Sequence, residues 1–143
     1  MTSALWQIFL LGVFSLSFSS PTLAEKPVAP EAIAGVVRVD TQQVVDLILS
    51  TPDLVIIDAR HADAYQRGHI EGALNYIDVD IDADLLSLLL KTENTPLLLY
   101  CNGPHCLRSA NAATKALEFG YRRIYWYRDG WQQWRESQLP VAY

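Results

Sequence analysis

The chain has 143 residues, half of them apolar, and a formal charge of -5. That length supports one compact domain with its own core and is short for two. Acidic and basic residues are scattered and form no basic stripe, which speaks against nucleic acid as a partner.

From Ala4 to Ser19 the chain is uncharged and rich in Leu, Phe, Ile and Val, then turns polar at Ser20-Pro21 and reaches Thr22-Leu23-Ala24. An apolar run followed by a small-residue site has the form of a signal peptide over residues 1–24, cleaved after Ala24. The expected location is periplasmic or otherwise exported. The alternative is an uncleaved N-terminal anchor, because no basic residue precedes the run, and only then is a membrane partner expected. Against the anchor, the run is shorter than the roughly 20 apolar residues that cross a bilayer.

Residues 25–35 read as an extended linker, because Pro27 and Pro30 remove backbone donors and disfavour a helix before them. The domain proper is expected over 36–143, starting near Gly35. Val36 to Val39 is a short β-branched strand. Asp40-Thr41 then caps a helix over Gln42 to Leu49, in which Val44, Val45, Ile48 and Leu49 fall at helical spacing.

Pro52 ends that helix, and Leu54 to Ile57 is a continuous apolar run leading into Asp58-Ala59-Arg60, the pattern of a strand buried on both faces. His61 to Arg67 predicts a short helix stopped at Gly68, and Ala73 to Ile77 a third strand. Asp82 to Lys91 predicts a helix with acidic residues at its start and Lys91 at its end, as the helix dipole favours. Asp78, Asp80, Asp82 and Asp84 alternate as in a calcium loop but lack its glycine and terminal glutamate, so they read as a solvated loop and helix start, with no metal expected.

Leu97 to Tyr100 is a fourth buried strand and delivers Cys101. Ser109 to Phe119 is a helix closed by Gly120, Ile124 to Tyr127 a fifth strand, and Asp129-Gly130 opens a last helix with Trp131 and Trp134. Strands alternating with helices imply an α/β fold, a mostly parallel five-stranded sheet with helices on both faces. Ligands bind such sheets beyond the carboxyl ends of the strands, where Asp58 and Cys101 fall.

A cysteine between a buried strand and a helix N-terminus has its sulfur near backbone N–H groups and the positive end of the helix dipole, a setting that favours the thiolate. This makes Cys101 a candidate nucleophile, against the alternative of a buried cysteine that merely packs. Arg108 in the first helical turn opposes the dipole, which an anion-binding site would justify. His69 reads as a satisfied core histidine, and Tyr127, Trp131 and Trp134 as packing residues.

Asp58-Ala59-Arg60, Tyr65, Gly68-His69-Ile70-Glu71-Gly72-Ala73, Asn75, Tyr100-Cys101, Arg108-Ser109, Gly120-Tyr121 and Gly130 with Trp134 occur in one order, and from about Val36 to Val141 the chain resembles the rhodanese (sulfurtransferase) family. The resemblance implies a rhodanese-like fold in which Cys101 attacks a sulfane sulfur to form a persulfide. It also implies a substrate-binding loop of Asn102, Gly103, Pro104, His105, Leu107, Arg108 and Ser109, with the amides of residues 102–107 around the terminal sulfur and Arg108 on an anionic donor. Asp58 and Arg60 become a framework pair orienting the site, the alternative being a structural ion pair. The implied partners are a small sulfur donor and a thiol or similar acceptor, with a partner protein left open, and no metal or organic cofactor is called for.

Six residues separate Cys101 from Arg108, and Cys106 stands where the family's usual arginine would fall. Either the loop is expanded or Cys106 has taken that place. Pro104 also removes one amide from the loop. A curled loop brings two such cysteines within disulfide range, which opens three further roles for Cys106: a resolving thiol, one half of a thiol–disulfide exchange pair, or a structural staple. A non-catalytic binding module is the remaining alternative.

Overall fold

A computed structural model describes residues 24–143. The expected signal segment therefore lies, up to Leu23, outside the described residues. Among the described residues no helix is long and apolar enough to cross a membrane.

The elements run β1 (Val37–Arg38), α1 (Thr41–Ser50), β2 (Val55–Asp58), α2 (Ala62–Gln66), β3 (Leu74–Asn75), α3 (Ala83–Leu89), β4 (Leu97–Tyr100), α4 (Arg108–Glu118), β5 (Ile124–Tyr127) and α5 (Gly130–Glu136). The five strands form one sheet in the order β1-β5-β4-β2-β3, with every pairing parallel. The α/β reading of the sequence therefore holds, with the sheet wholly parallel.

Local chemistry explains where the helices start. Asp40 accepts from Gln43 N at 2.9 Å while the Gln43 side chain accepts from Asp40 N, a reciprocal cap that fixes the first turn of α1. Asp82 caps α3 by accepting from Leu85 N at 2.8 Å. Two expectations need correction. α3 stops at Leu89, because Leu90 turns extended and is buried in the core, so Lys91 lies beyond the helix and its dipole. The third strand is only Leu74–Asn75, since it pairs with the last two residues of β2 at the sheet's edge.

Successive residues of the central strands point to opposite faces. Ile57, Leu97, Leu99 and Ile124 face α3 and α4, where Leu86, Leu90, Ala112, Ala113 and Ala116 meet them. Ile56, Leu98, Tyr100 and Tyr127 face Val44 of α1 and Trp134 of α5. The small alanines of α4 let that helix lie close on the sheet directly after the Cys101 loop. Leu99 is fully buried, and its truncation to Ala costs about 2–5 kcal/mol.

The register sets Asp58, Tyr100 and Tyr127 side by side at the carboxyl edge. The residues that follow them, Ala59, Cys101 and Arg128, therefore emerge together at one end of the sheet. Residues 24–34 have no helix or strand, yet packing reaches back to Ala29, which is buried against Ala110 and Trp126.

Candidate active site

The carboxyl edge is braced from below by a buried polar network. The Asp58 carboxylate accepts from the Arg60 backbone N–H at 2.9 Å, from Arg60 Nε at 3.0 Å and from Arg60 Nη2 at 2.6 Å. It also accepts from the Tyr100 hydroxyl at 2.7 Å. Arg60 Nη2 donates further to Gly68 O at 2.7 Å, and its guanidinium lies 4.4 Å from the Trp131 ring centre. Burial, reinforced by the Asp58 charge, pushes the Tyr100 phenol far above its usual range, so it serves as a fixed donor.

The reactive loop starts where this brace ends. Cys101 directly follows Tyr100 and is 1 % exposed. Its carbonyl accepts from Trp131 N at 2.8 Å, and the Asn102 carbonyl accepts from Gln132 N at 2.9 Å. The start of α5 thus clamps the loop, and Gly130 makes the approach possible. It sits at φ 61°, and a Cβ there would collide with the Cys101 carbonyl.

The loop then curls back on itself. Cys106 N donates to Gly103 O at 2.9 Å, and Cys101 and Cys106 are joined by a disulfide with their Cα atoms 6.1 Å apart. Cys106 is the more exposed partner and forms part of a cleft of about 560 Å³. The cleft is lined by Lys26, Pro27, Asp78, Asn111, Gln132 and all of residues 102–108.

Arg108 opens α4 and donates from Nη2 to His61 Nε2 at 2.6 Å and from Nη1 toward Cys106 Sγ at 3.8 Å. The first contact requires a free lone pair on His61 Nε2. Together they offset the cost, a few tenths of a kcal/mol, of placing a cation in a first helical turn.

Several sequence expectations change here. Ser109 is not a cleft residue: it is buried, and its Oγ accepts from Trp126 Nε1 at 2.9 Å, fixing α4 to β5. The loop amides are not a complete cradle, because the Cys106 N–H is spent on Gly103 and Pro104 has none. Asp58 and Arg60 neither line the cleft nor hydrogen-bond the loop; they reach it through Tyr100 and Trp131. Asn102, Gly103, Pro104, His105, Leu107 and Arg108 do line the cleft, with His105 exposed. His69 is buried, stacked on Tyr65 at 3.7 Å, with its Nδ1 3.1 Å from Tyr65 O.

Four participants escape local sequence reading: His61, Gly130 as the point of close approach, Arg128, and the segment around Ala29. An arginine straight after an apolar strand was the available signal for Arg128. It donates to Pro30 O and Ala29 O at 2.9 Å and to Glu31 Oε1 at 2.7 Å.

Residues 40–137 match the Rhodanese-like domain family, and the chain belongs to that family. It is 27 % identical to the uncharacterized protein YibN of Escherichia coli K12, over 98 % of this chain and 88 % of that one. It is also 28 % identical to the thiosulfate sulfurtransferase GlpE of Pseudoalteromonas translucida, over 63 % of this chain and 81 % of that protein. Among solved structures, the BH2092 protein of Bacillus halodurans is similar, with a TM-score of 0.64, 25 % identity and coverage of 74 % of this chain and 76 % of that one.

Proposed function

We propose that the protein is a sulfurtransferase in which Cys101, once reduced, carries sulfane sulfur. The observation that carries this reading is the placement of Cys101 at the carboxyl end of the central strand, at the start of a loop clamped by α5 and opening onto the cleft. Family membership and the likeness to a thiosulfate sulfurtransferase support it.

With thiosulfate as donor, the Cys101 thiolate attacks the outer sulfur, the sulfur–sulfur bond of the donor breaks, and sulfite leaves. Cys101 then holds a persulfide anion. A thiolate acceptor attacks the outer persulfide sulfur, takes it away and restores the Cys101 thiolate. Charge and electrons balance in both steps without a metal or organic cofactor.

The disulfide supports a second route out of the persulfide. The Cys106 thiol attacks Sγ of Cys101, the outer sulfur leaves as hydrosulfide, and the Cys101–Cys106 bond forms. The two thiols supply the two electrons that reduce the sulfane sulfur, and an external dithiol resets the pair.

Sulfite release from thiosulfate by the reduced protein tests both routes. Cys101→Ser is expected to abolish it. Cys106→Ser is expected to keep the first release and lose hydrosulfide. Sulfite release that persists in Cys101→Ser overturns the reading.

A further inference from the structure

The segment ahead of the family-matched residues is built into the cleft. Ala29 N donates to Pro104 O at 2.7 Å, a direct tie between this segment and the outer half of the reactive loop. The Ala29 side chain is 3 % exposed and packs on Ala110 and Trp126, with Leu107 against the same cluster. Arg128, itself 7 % exposed, donates to three acceptors on this one segment. Glu31 is shared with Arg38 at 2.8 Å, which adds a second anchor. A buried guanidinium whose Nε and Nη2 both donate to one stretch of chain fixes that stretch, because moving it away would leave buried donors unpaired.

This strap, residues 26–31, is anchored at residues 29–31 and ends at the cleft, where Lys26 and Pro27 form part of the wall. Its chemistry complements what the loop lacks. The Arg108 fork is occupied by His61 and Cys106, and the loop amides form an incomplete cradle. Lys26 is exposed, and no carboxylate among the described residues lies within ion-pair distance of it. Asp78, the one carboxylate residue lining the cleft, already accepts from Asn111 at 2.8 Å.

We propose that the strap is a wall of the sulfur-donor site, with Lys26 binding the anionic end of a small sulfane donor and Arg128 as the positioning residue that holds Lys26 there. The inference rests on the cleft being the donor site. It assigns the site a preference for anionic donors, such as thiosulfate, over neutral polysulfides. It also extends the functional unit upstream of the residues shared with the family.

The test measures sulfite release against thiosulfate concentration for the reduced full chain. Lys26→Gln is expected to raise the half-saturating concentration about three- to tenfold, the worth of one partly screened charge, with little change in the rate at saturation. Lys26→Arg is expected to retain the wild-type value. Arg128→Gln is expected to reproduce the Lys26→Gln shift, a change in half-saturation without loss of saturating rate that a merely structural role would not produce. Loading of Cys101 from a neutral dialkyl trisulfide, in which the thiolate attacks the central sulfur, expels an alkyl thiolate and leaves an alkyl trisulfide on Cys101, is followed by mass and is expected to be indifferent to Lys26→Gln.

Titration with inorganic sulfate, followed by the amide chemical shifts of Asn102, Gly103 and residues 105–108, reads the same binding without chemistry. Lys26→Gln is expected to weaken sulfate by the same factor. Unchanged half-saturation and unchanged sulfate affinity in Lys26→Gln overturn the inference even if Cys101 loads normally. Failure of every donor to load Cys101 overturns the sulfurtransferase reading, and the sulfate titration then still decides whether Lys26 binds anions.

Discussion

Gly130→Ala is a single methyl group placed where the fold and the reactive loop touch. Gly130 has φ 61°, and the new Cβ would run into the Cys101 carbonyl. Holding an L-residue in that backbone region costs roughly 1–2 kcal/mol. Relieving the collision costs about 1–3 kcal/mol more, either as strain or as a retreat of α5 from the loop. Retreat would weaken the bonds from Trp131 N and Gln132 N, each worth about 1 kcal/mol net. The expected loss of stability is about 3 kcal/mol, read from urea unfolding midpoints. A loop shifted by about 1 Å also loses on the order of 100-fold in rate, read as sulfite release. Gly72→Ala is the internal control. There φ is 81°, but a Cβ would meet nothing within 4 Å. Only the conformational cost of roughly 1–2 kcal/mol is expected, with sulfur loading unchanged. Equal losses in the two variants, with equal rates, would refute the claim that α5 clamps the Cys101 loop through Gly130.

Ser109→Ala leaves the buried Trp126 indole N–H without its acceptor and is expected to cost about 1–3 kcal/mol in denaturant unfolding, without altering the half-saturating thiosulfate concentration. Burial raises the phenols of Tyr100 and Tyr127, so the native state keeps protons that the unfolded state gives up near the usual pKa of about 10. Their contribution is thus fully present below that pH and falls as pH rises above it; Tyr100→Phe is expected to flatten the alkaline loss of stability measured by urea unfolding from about pH 9 to about pH 11. If the leader-like N-terminus is processed as its pattern implies, the mature chain recovered after secretion begins at Glu25, and N-terminal sequencing that instead finds Met1 would favour the anchored form.

Much of the scaffold was legible because it is local. The apolar run Leu97 to Tyr100 is the doubly covered strand its pattern implies, and Asp40 caps α1 as its place ahead of the helix implies. The strap was not legible. Pro27 and Pro30 correctly mark residues without helix, but nothing near Ala29 foretells a partner as distant as Arg128, 99 residues away. Proline patterns report the local backbone and carry no information on what the segment packs against. Ser109 was placed in the substrate-binding loop by the family resemblance, while its acceptor role toward Trp126 is a tertiary contact that its local sequence does not show. The Cys101/Cys106 spacing left several roles open for Cys106, and the curl closed by Cys106 N and Gly103 O brings the two sulfurs together.

Sulfur carriage by Cys101 is tested most directly by weighing its peptide. Fully reduced protein, mixed with thiosulfate and digested under non-reducing acidic conditions, should show one added sulfur on the Cys101 peptide of Cys106→Ser by mass spectrometry. No added sulfur on that peptide, with thiosulfate or polysulfide as donor, would contradict it.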